Sequence, residues 1–216
     1  MFDFAQARTN MVDSQLRPNG ITDGRVLRAF ETIAREDFVP EALRSIAYMD
    51  GDVALGGGRY LIEPMGFAKM LNAADVKPGD KVLEIGAATG FGAAVLSALA
   101  GHVVAVESDI NLLSAARENL KDKANVSVSE NALPEGFVQG ALYDVILLSG
   151  QVESVPEALF SQLSEGGRLI AAIGAGRIAR CYVWTRSGAN HTQRFLFDIS
   201  VAILPGFGKP ADGFAF

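Results

Sequence analysis

The stretch Lys81 to Asp109, KVLEIGAATGFGAAVLSALAGHVVAVESD, constrains the fold more than any other. Lys81-Val82-Leu83-Glu84-Ile85 is a short, mainly apolar run, and a parallel strand buried on both faces need not alternate. Gly86-Ala87-Ala88-Thr89-Gly90-Phe91-Gly92 follows without a gap. Small residues there turn the chain and let its backbone approach a ligand before an alanine-rich helix begins. Val103 to Val106 is a second apolar run. It ends in Glu107, about 20 residues after Gly86, a spacing that suits an acidic side chain accepting both hydroxyls of a ribose. Strand, loop, helix, strand and carboxylate together predict a nucleotide-binding unit; the loop alone would be no more than a tight strand-to-helix turn.

The sign of the ligand follows from the charges. A glycine-rich turn at a helix N-terminus often holds a pyrophosphate, yet this loop contains no lysine or arginine and Glu84 stands at the end of the strand beside it. That carboxylate opposes a pyrophosphate and suits a cationic ligand such as S-adenosyl-L-methionine. The expected cofactor-binding residues are Glu84, Gly86, Ala87, Ala88 and Gly90 in the first strand and loop, and Glu107 and Ser108 after the second strand. Ala132 and Leu133 after the third strand and Ser149 after the fourth complete the set. Ala88 suits its place only if it avoids a positive φ.

The whole chain of 216 residues reads as one unit with an extension. Residues 1–78 form an N-terminal helical extension and substrate-side loop packed on a core, and residues 79–216 a Rossmann-like domain. Helices are expected over residues 4–17, from an N-cap at Thr22 to a stop before Phe38, and from Pro64 to about Ala74. Residues 47–63 lack a clear period and read as an ordered functional loop. Helix Leu112 to Leu120, strand Asn125 to Val128 and strand Asp144 to Leu148 follow, with Ser149 to Glu153 as a loop at the strand's end. A helix over Val155 to Leu163, a strand over Arg168 to Ile173, and a hairpin of residues 179–186 and 193–203 complete a mostly parallel, doubly wound α/β sheet of about seven strands with an antiparallel C-terminal hairpin. The tail LPGFGKPADGFAF is expected to pack on the surface. A net charge of −6 argues against sequence-independent nucleic-acid binding. No apolar stretch is long enough to cross a membrane, and no signal peptide is visible. Cys181 is the only cysteine, which points to an inert buried thiol and a reducing cytoplasm.

Further along, the residues resemble the protein-L-isoaspartate O-methyltransferases. Met11-Val12-Asp13-Ser14-Gln15-Leu16-Arg17, Gly20-Ile21, Phe38-Val39-Pro40 and Ala47-Tyr48 match that family's N-terminal signature. Val82-Leu83-Glu84-Ile85-Gly86 matches its loop, and Val155-Pro156-Glu157-Ala158-Leu159, Gln162-Leu163 and Gly166-Gly167-Arg168-Leu169 its late segment. The resemblance implies an adenosylmethionine-dependent carboxyl O-methyltransferase whose partner is an isoaspartyl protein or peptide, or a small carboxylate acceptor. It also exposes departures. The family's glycine, glutamine, threonine, isoleucine, serine, glutamine, proline stretch is here Gly58-Arg59-Tyr60-Leu61-Ile62-Glu63-Pro64, so Ile62 takes the place of a serine near the transferred methyl and Tyr60 that of a threonine. Asn131-Ala132 replaces a glycine-aspartate pair near the adenine.

A carboxylate acceptor is already ionised at pH 7, so positioning and exclusion of water dominate the chemistry. Tyr60, Ile62 and Arg59 are the residues expected at the reacting centre, with Arg59 either clamping the acceptor carboxylate or, like Glu63, a solvated loop charge. His102 and His191 read as surface residues, and no spacing suggests a metal site. Two other readings stay open: an adenosylmethionine-binding protein that is non-catalytic or serves a different acceptor, and a nicotinamide-dependent short-chain dehydrogenase, which shares the glycine spacing. The second lacks its tyrosine followed four residues later by lysine, since none of Tyr48, Tyr60, Tyr143 and Tyr182 is so followed.

Overall fold

The computed structural model describes residues 2–207. Helix α1 (Phe4–Met11) starts where the Asp3 carboxylate accepts the Gln6 N–H. It widens into a π turn over Val12–Leu16, tightens into a 3-10 turn over Arg17–Asn19, and stops at Gly20 with φ +83°. Helix α2 (Gly24–Thr32) is capped by Asp23, whose carboxylate accepts the Arg25 N–H, and not by Thr22 as expected. Its apolar stripe buries Val26, Leu27 and Phe30.

Residues 47–63 are more regular than their sequence suggested. They contain an antiparallel hairpin of β1 (Val53–Gly56) and β2 (Arg59–Leu61). Gly57 and Gly58 make its turn with φ of +58° and +75°, the left-handed pair that a tight two-residue hairpin connection requires. Helix α3 (Pro64–Ala74) follows, with proline at its first position as expected.

The nucleotide unit is β3 (Lys81–Ile85), α4 (Phe91–Ser97) and β4 (His102–Glu107). Next come α5 (Ile110–Asn119), which starts two residues before the expected Leu112 and is capped by Asp109, and β5 (Val126–Glu130). Strand β6 (Tyr143–Val152) runs beyond Leu148, so Ser149 lies in a strand and not in a loop. The extension has a partner: Gln151 donates to the Ala202 carbonyl at 2.8 Å and accepts from the Leu204 N–H at 2.8 Å. The helix expected over Val155 to Leu163 is a single turn, α6 (Glu157–Phe160). It ends early because Leu163 already pairs with Tyr143 as the first residue of β7 (Leu163–Ile173). Strands β8 (Ala179–Ser187) and β9 (Asn190–Ile199) form the closing hairpin, with β9 ending at Ile199 and not at 203.

The seven strands lie in the order β5-β4-β3-β6-β7-β8-β9, parallel from β5 to β7 and antiparallel through β8 and β9. Alternation divides their side chains between two cores. Val82, Val103, Ala105, Val145, Leu147 and Ile170 face the core built with α2, α3 and α4, which also takes in Met11, Val12 and Leu16. Leu83, Ile85, Val104, Val106, Ile146 and Leu148 face the other, closed by Leu133, Leu159, Leu204 and Phe207. Both faces are therefore covered, which explains the near-continuous apolar runs. Of the tail, Leu204 and Phe207 are buried in the second core, deeper than the expected surface packing, and residues 208–216 lie outside the described residues. No helix among the described residues is long and apolar enough to cross a membrane.

Candidate active site

The site forms where β3, β4 and β6 end, the place where a doubly wound sheet leaves a crevice. The Gly86 and Ala87 N–H groups both donate to the Val106 carbonyl, at 2.9 and 3.0 Å, which folds the loop back over β4. Ala88 has φ +51°, against the expectation that it would avoid the left-handed region. Its N–H donates to Glu107 Oε2 at 2.7 Å, and that bond to a buried carboxylate helps hold the strained residue in place.

Glu84 is 1% exposed. Its Oε1 accepts from the Ser149 hydroxyl at 2.6 Å, while its Oε2 has no partner. Burial pushes the carboxyl up to about 7, against the pull of the Ser149 bond and with the Glu107 charge adding to the rise. Position 92 must be glycine for this arrangement, since a β-carbon there would stand 1.9 Å from Glu84 Oε1. Beside Glu84 lies a cavity of about 20 Å³, room for one water, lined by Tyr60, Ile62, Phe67, Phe91, Gly86 and Ser149.

Residues of the N-terminal extension support this wall, among them Tyr48 and Phe38 of the signature. Arg35 is fully buried, stacked 4.9 Å from the Phe91 ring centroid, and donates to the carbonyls of Ala47 and Ile62, each at 2.6 Å. Burial pulls its guanidinium down to about 9, which leaves it charged at neutral pH. Tyr48 binds Glu36 through a short hydrogen bond and accepts from Arg8 at 2.9 Å. The Thr89 hydroxyl donates to the Phe38 carbonyl at 2.6 Å, tying the loop to the extension.

Not every expected residue is where its role required. Arg59 is no solvated loop charge: it is 6% exposed, with Nη1 2.6 Å from Glu107 Oε1 and Nη2 donating to the Gly86 carbonyl at 3.1 Å. It therefore sits on the cofactor side of the cleft. Glu107 also accepts the N–H groups of Ser108 and Asp109, at 2.8 and 3.0 Å. Leu133 is fully buried in the core behind the sheet and lines neither the cavity nor the groove of about 410 Å³ formed by Ser108, Glu130, Asn131 and Ala132. Leu204, given no role at the site by its place in the tail, roofs the loop: a β-carbon on Gly86 would lie 2.6 Å from it. His102 approaches Ser127 at 3.4 Å and His191 stacks on Phe160, so neither faces the cleft. Burial pushes Cys181 up to about 12, an inert thiol.

A glycine loop after a central strand, with carboxylates closing the first and second strands of the unit, defines the Rossmann-like methyltransferase class. A model of the family described as protein-L-isoaspartate(D-aspartate) O-methyltransferase matches residues 6–199. The protein-L-isoaspartate O-methyltransferase of Koribacter versatilis is 41% identical, over 90% of this chain and 88% of its own. Protein-L-isoaspartate O-methyltransferase 2 of Marinobacter nauticus is 40% identical, over 94% and 95%. A solved protein-L-isoaspartate O-methyltransferase superposes with TM-score 0.80 at 26% identity, over 92% of this chain and 66% of that longer one. A Plasmodium falciparum structure holding S-adenosyl-L-homocysteine superposes with TM-score 0.78 at 20% identity, over 94% and 98%, and bears on the fold alone. The chain belongs to the protein-L-isoaspartate(D-aspartate) O-methyltransferase family.

The residues fit the cofactor this family implies. A buried carboxylate with one unpartnered oxygen beside an apolar cavity suits a cationic centre, and Glu107, the last residue of the neighbouring strand, is a second buried carboxylate of the kind that accepts ribose hydroxyls.

Proposed function

We infer that the protein is an S-adenosylmethionine-dependent carboxyl O-methyltransferase acting on isoaspartyl residues of proteins or peptides. The observation that carries this reading is the unpartnered oxygen of buried Glu84, within a fold and sequence that belong to this family. When bound, adenosylmethionine supplies a methyl group on a positively charged sulfur. Glu84 would balance that charge, Glu107 would hold the ribose hydroxyls, and Ser108, Asn131 and Ala132 would border the adenine. Tyr60, Ile62, Phe67 and Phe91 would exclude water, so that an acceptor carboxylate meets the methyl group poorly solvated and reactive. No general base is required, because the acceptor is already ionised.

A second reading, in which the acceptor is a carboxylate other than isoaspartate, is posed by Ile62 alone; the relatives named above carry the isoaspartyl name. The Ile62 side chain is 8% exposed and offers no hydroxyl, and its carbonyl is taken by Arg35. Tyr60, which also lines the cavity, is the hydroxyl nearest in sequence. The test is calorimetric titration with S-adenosyl-L-homocysteine, then labelled methyl transfer to an isoaspartyl peptide by the wild type and by Ile62→Ser. Turnover rising by about 10²-fold in Ile62→Ser, as expected when one orienting hydrogen bond is restored, supports isoaspartate as an acceptor that this wall holds poorly. Brisk wild-type turnover, matching that of a known repair enzyme, removes the second reading.

A further inference from the structure

Beside Glu84 the cleft narrows to a cavity of about 20 Å³, while the groove of about 410 Å³ past Ser108 stays open. Two segments bear on the strand ends there. Arg59, from hairpin β1–β2, reaches across to the carboxylate at the end of β4, and Leu204, from the segment after β9, lies over Gly86. The first is the more specific. Glu107 is fully buried and its side chain already accepts four hydrogen bonds, one from Arg59 and three from backbone N–H groups. The guanidinium also donates to the carbonyl of Gly86, on the loop that the cofactor must approach. The ribose hydroxyls, donors seeking the same carboxylate, therefore meet a charged competitor already in place.

We propose that Arg59 is an internal competitor of the cofactor: its pair with Glu107 sets cofactor affinity and must open when the ribose binds. The proposal rests on the functional reading above. Its logic is that of two states, since a protein whose binding-competent form is a minority binds more weakly by that fraction. Arg59 favours the closed form because removing it strands a buried carboxylate. Arg59 is a positioning residue in this scheme and need not touch the methyl group.

The experiment is titration calorimetry of the whole protein with S-adenosyl-L-homocysteine, comparing wild type, Arg59→Gln and Arg59→Met, with circular dichroism to establish folding. The expected result is a Kd at least about fivefold lower in the variants, a coupling of ordinary size. It should be accompanied by a lower Tm without ligand and a larger ligand-induced rise in Tm. A merely structural role predicts the reverse, because Glu107 would lose the group that orients it. Unchanged or weaker affinity in both folded variants overturns the proposal. If neither variant folds, a crystal structure of the wild type with the same ligand decides: Arg59 more than 4 Å from Glu107 supports the proposal, and an intact pair overturns it. Binding by a variant where the wild type binds nothing supports it most directly. If wild type and variants all fail to bind, the cofactor reading itself falls, and the proposal falls with it.

Discussion

The φ of Ala88, +51°, lies where a β-carbon crowds the following carbonyl, at a cost of about 1–2 kcal/mol. Ala88→Gly removes that crowding but gives the unfolded chain more freedom, so a net gain of up to about 1 kcal/mol is expected. Urea denaturation of the two proteins measures it, and a loss of stability would show that the strain is absent. How legible a residue was depends on what makes it matter. Glu84 and Glu107 could be read because a carboxylate closing an apolar strand stands out locally. The left-handed Ala88 could not, since its N–H bond to Glu107 joins residues 19 apart. Arg59 was misplaced for the same reason: its partner lies 48 residues away, and only the hairpin geometry brings the two together.

Strands and helices with strong local signals were legible as elements, and those whose bounds depend on a neighbour were not. Strand β3 agrees to the residue because its composition suffices. Strand β6 runs long because Gln151 and Val152 pair with Ala172 and Ile173 of β7 and Gln151 also with residues 202–204, and α6 is cut short because Leu163 joins the sheet, both decided by distant chain. The β1–β2 hairpin was missed although its Gly57-Gly58 turn was in view, since only four and three residues flank it. Just past it, the Ile62 carbonyl accepts from buried Arg35, whose backbone N–H is held by Tyr48. Tyr48 and Glu36 are both 7% exposed, and the Tyr48 hydroxyl also receives Arg8 and the Arg35 N–H. Tyr48→Phe should cost about 1–3 kcal/mol by leaving those buried groups short of a partner. Chemical denaturation measures the loss, and a change below about 0.5 kcal/mol would mean that water replaces the hydroxyl.

Across the whole molecule, Glu84 links stability to pH with an unusual sign. Its carboxyl ionises near 4.5 in the unfolded chain and near 7 in the folded one. Between those values the unfolded chain has lost a proton that the native state keeps, so stability falls as pH rises, by about 3 kcal/mol in all, and levels off above 7. Glu84→Gln should abolish that slope, as urea titrations at pH 5 and 8 would reveal. A cation prefers the ionised form, so adenosylmethionine affinity should rise between pH 6 and 8 in the wild type and stay flat in Glu84→Gln. Calorimetry at the two pH values tests this, and parallel profiles would detach Glu84 from the cofactor. The core that buries Met11, Val12 and Phe30 also contains Ile199 and Val201, and the roof over Gly86 is Leu204. On the ribosome, then, the first helices emerge long before the last strands of the core they share, and the crevice at the strand ends acquires its roof late. Nascent chains halted at residue 160 should be cut readily by protease within residues 4–33, whereas chains released in full should resist; equal resistance would mean that the extension finds its place without the final strands.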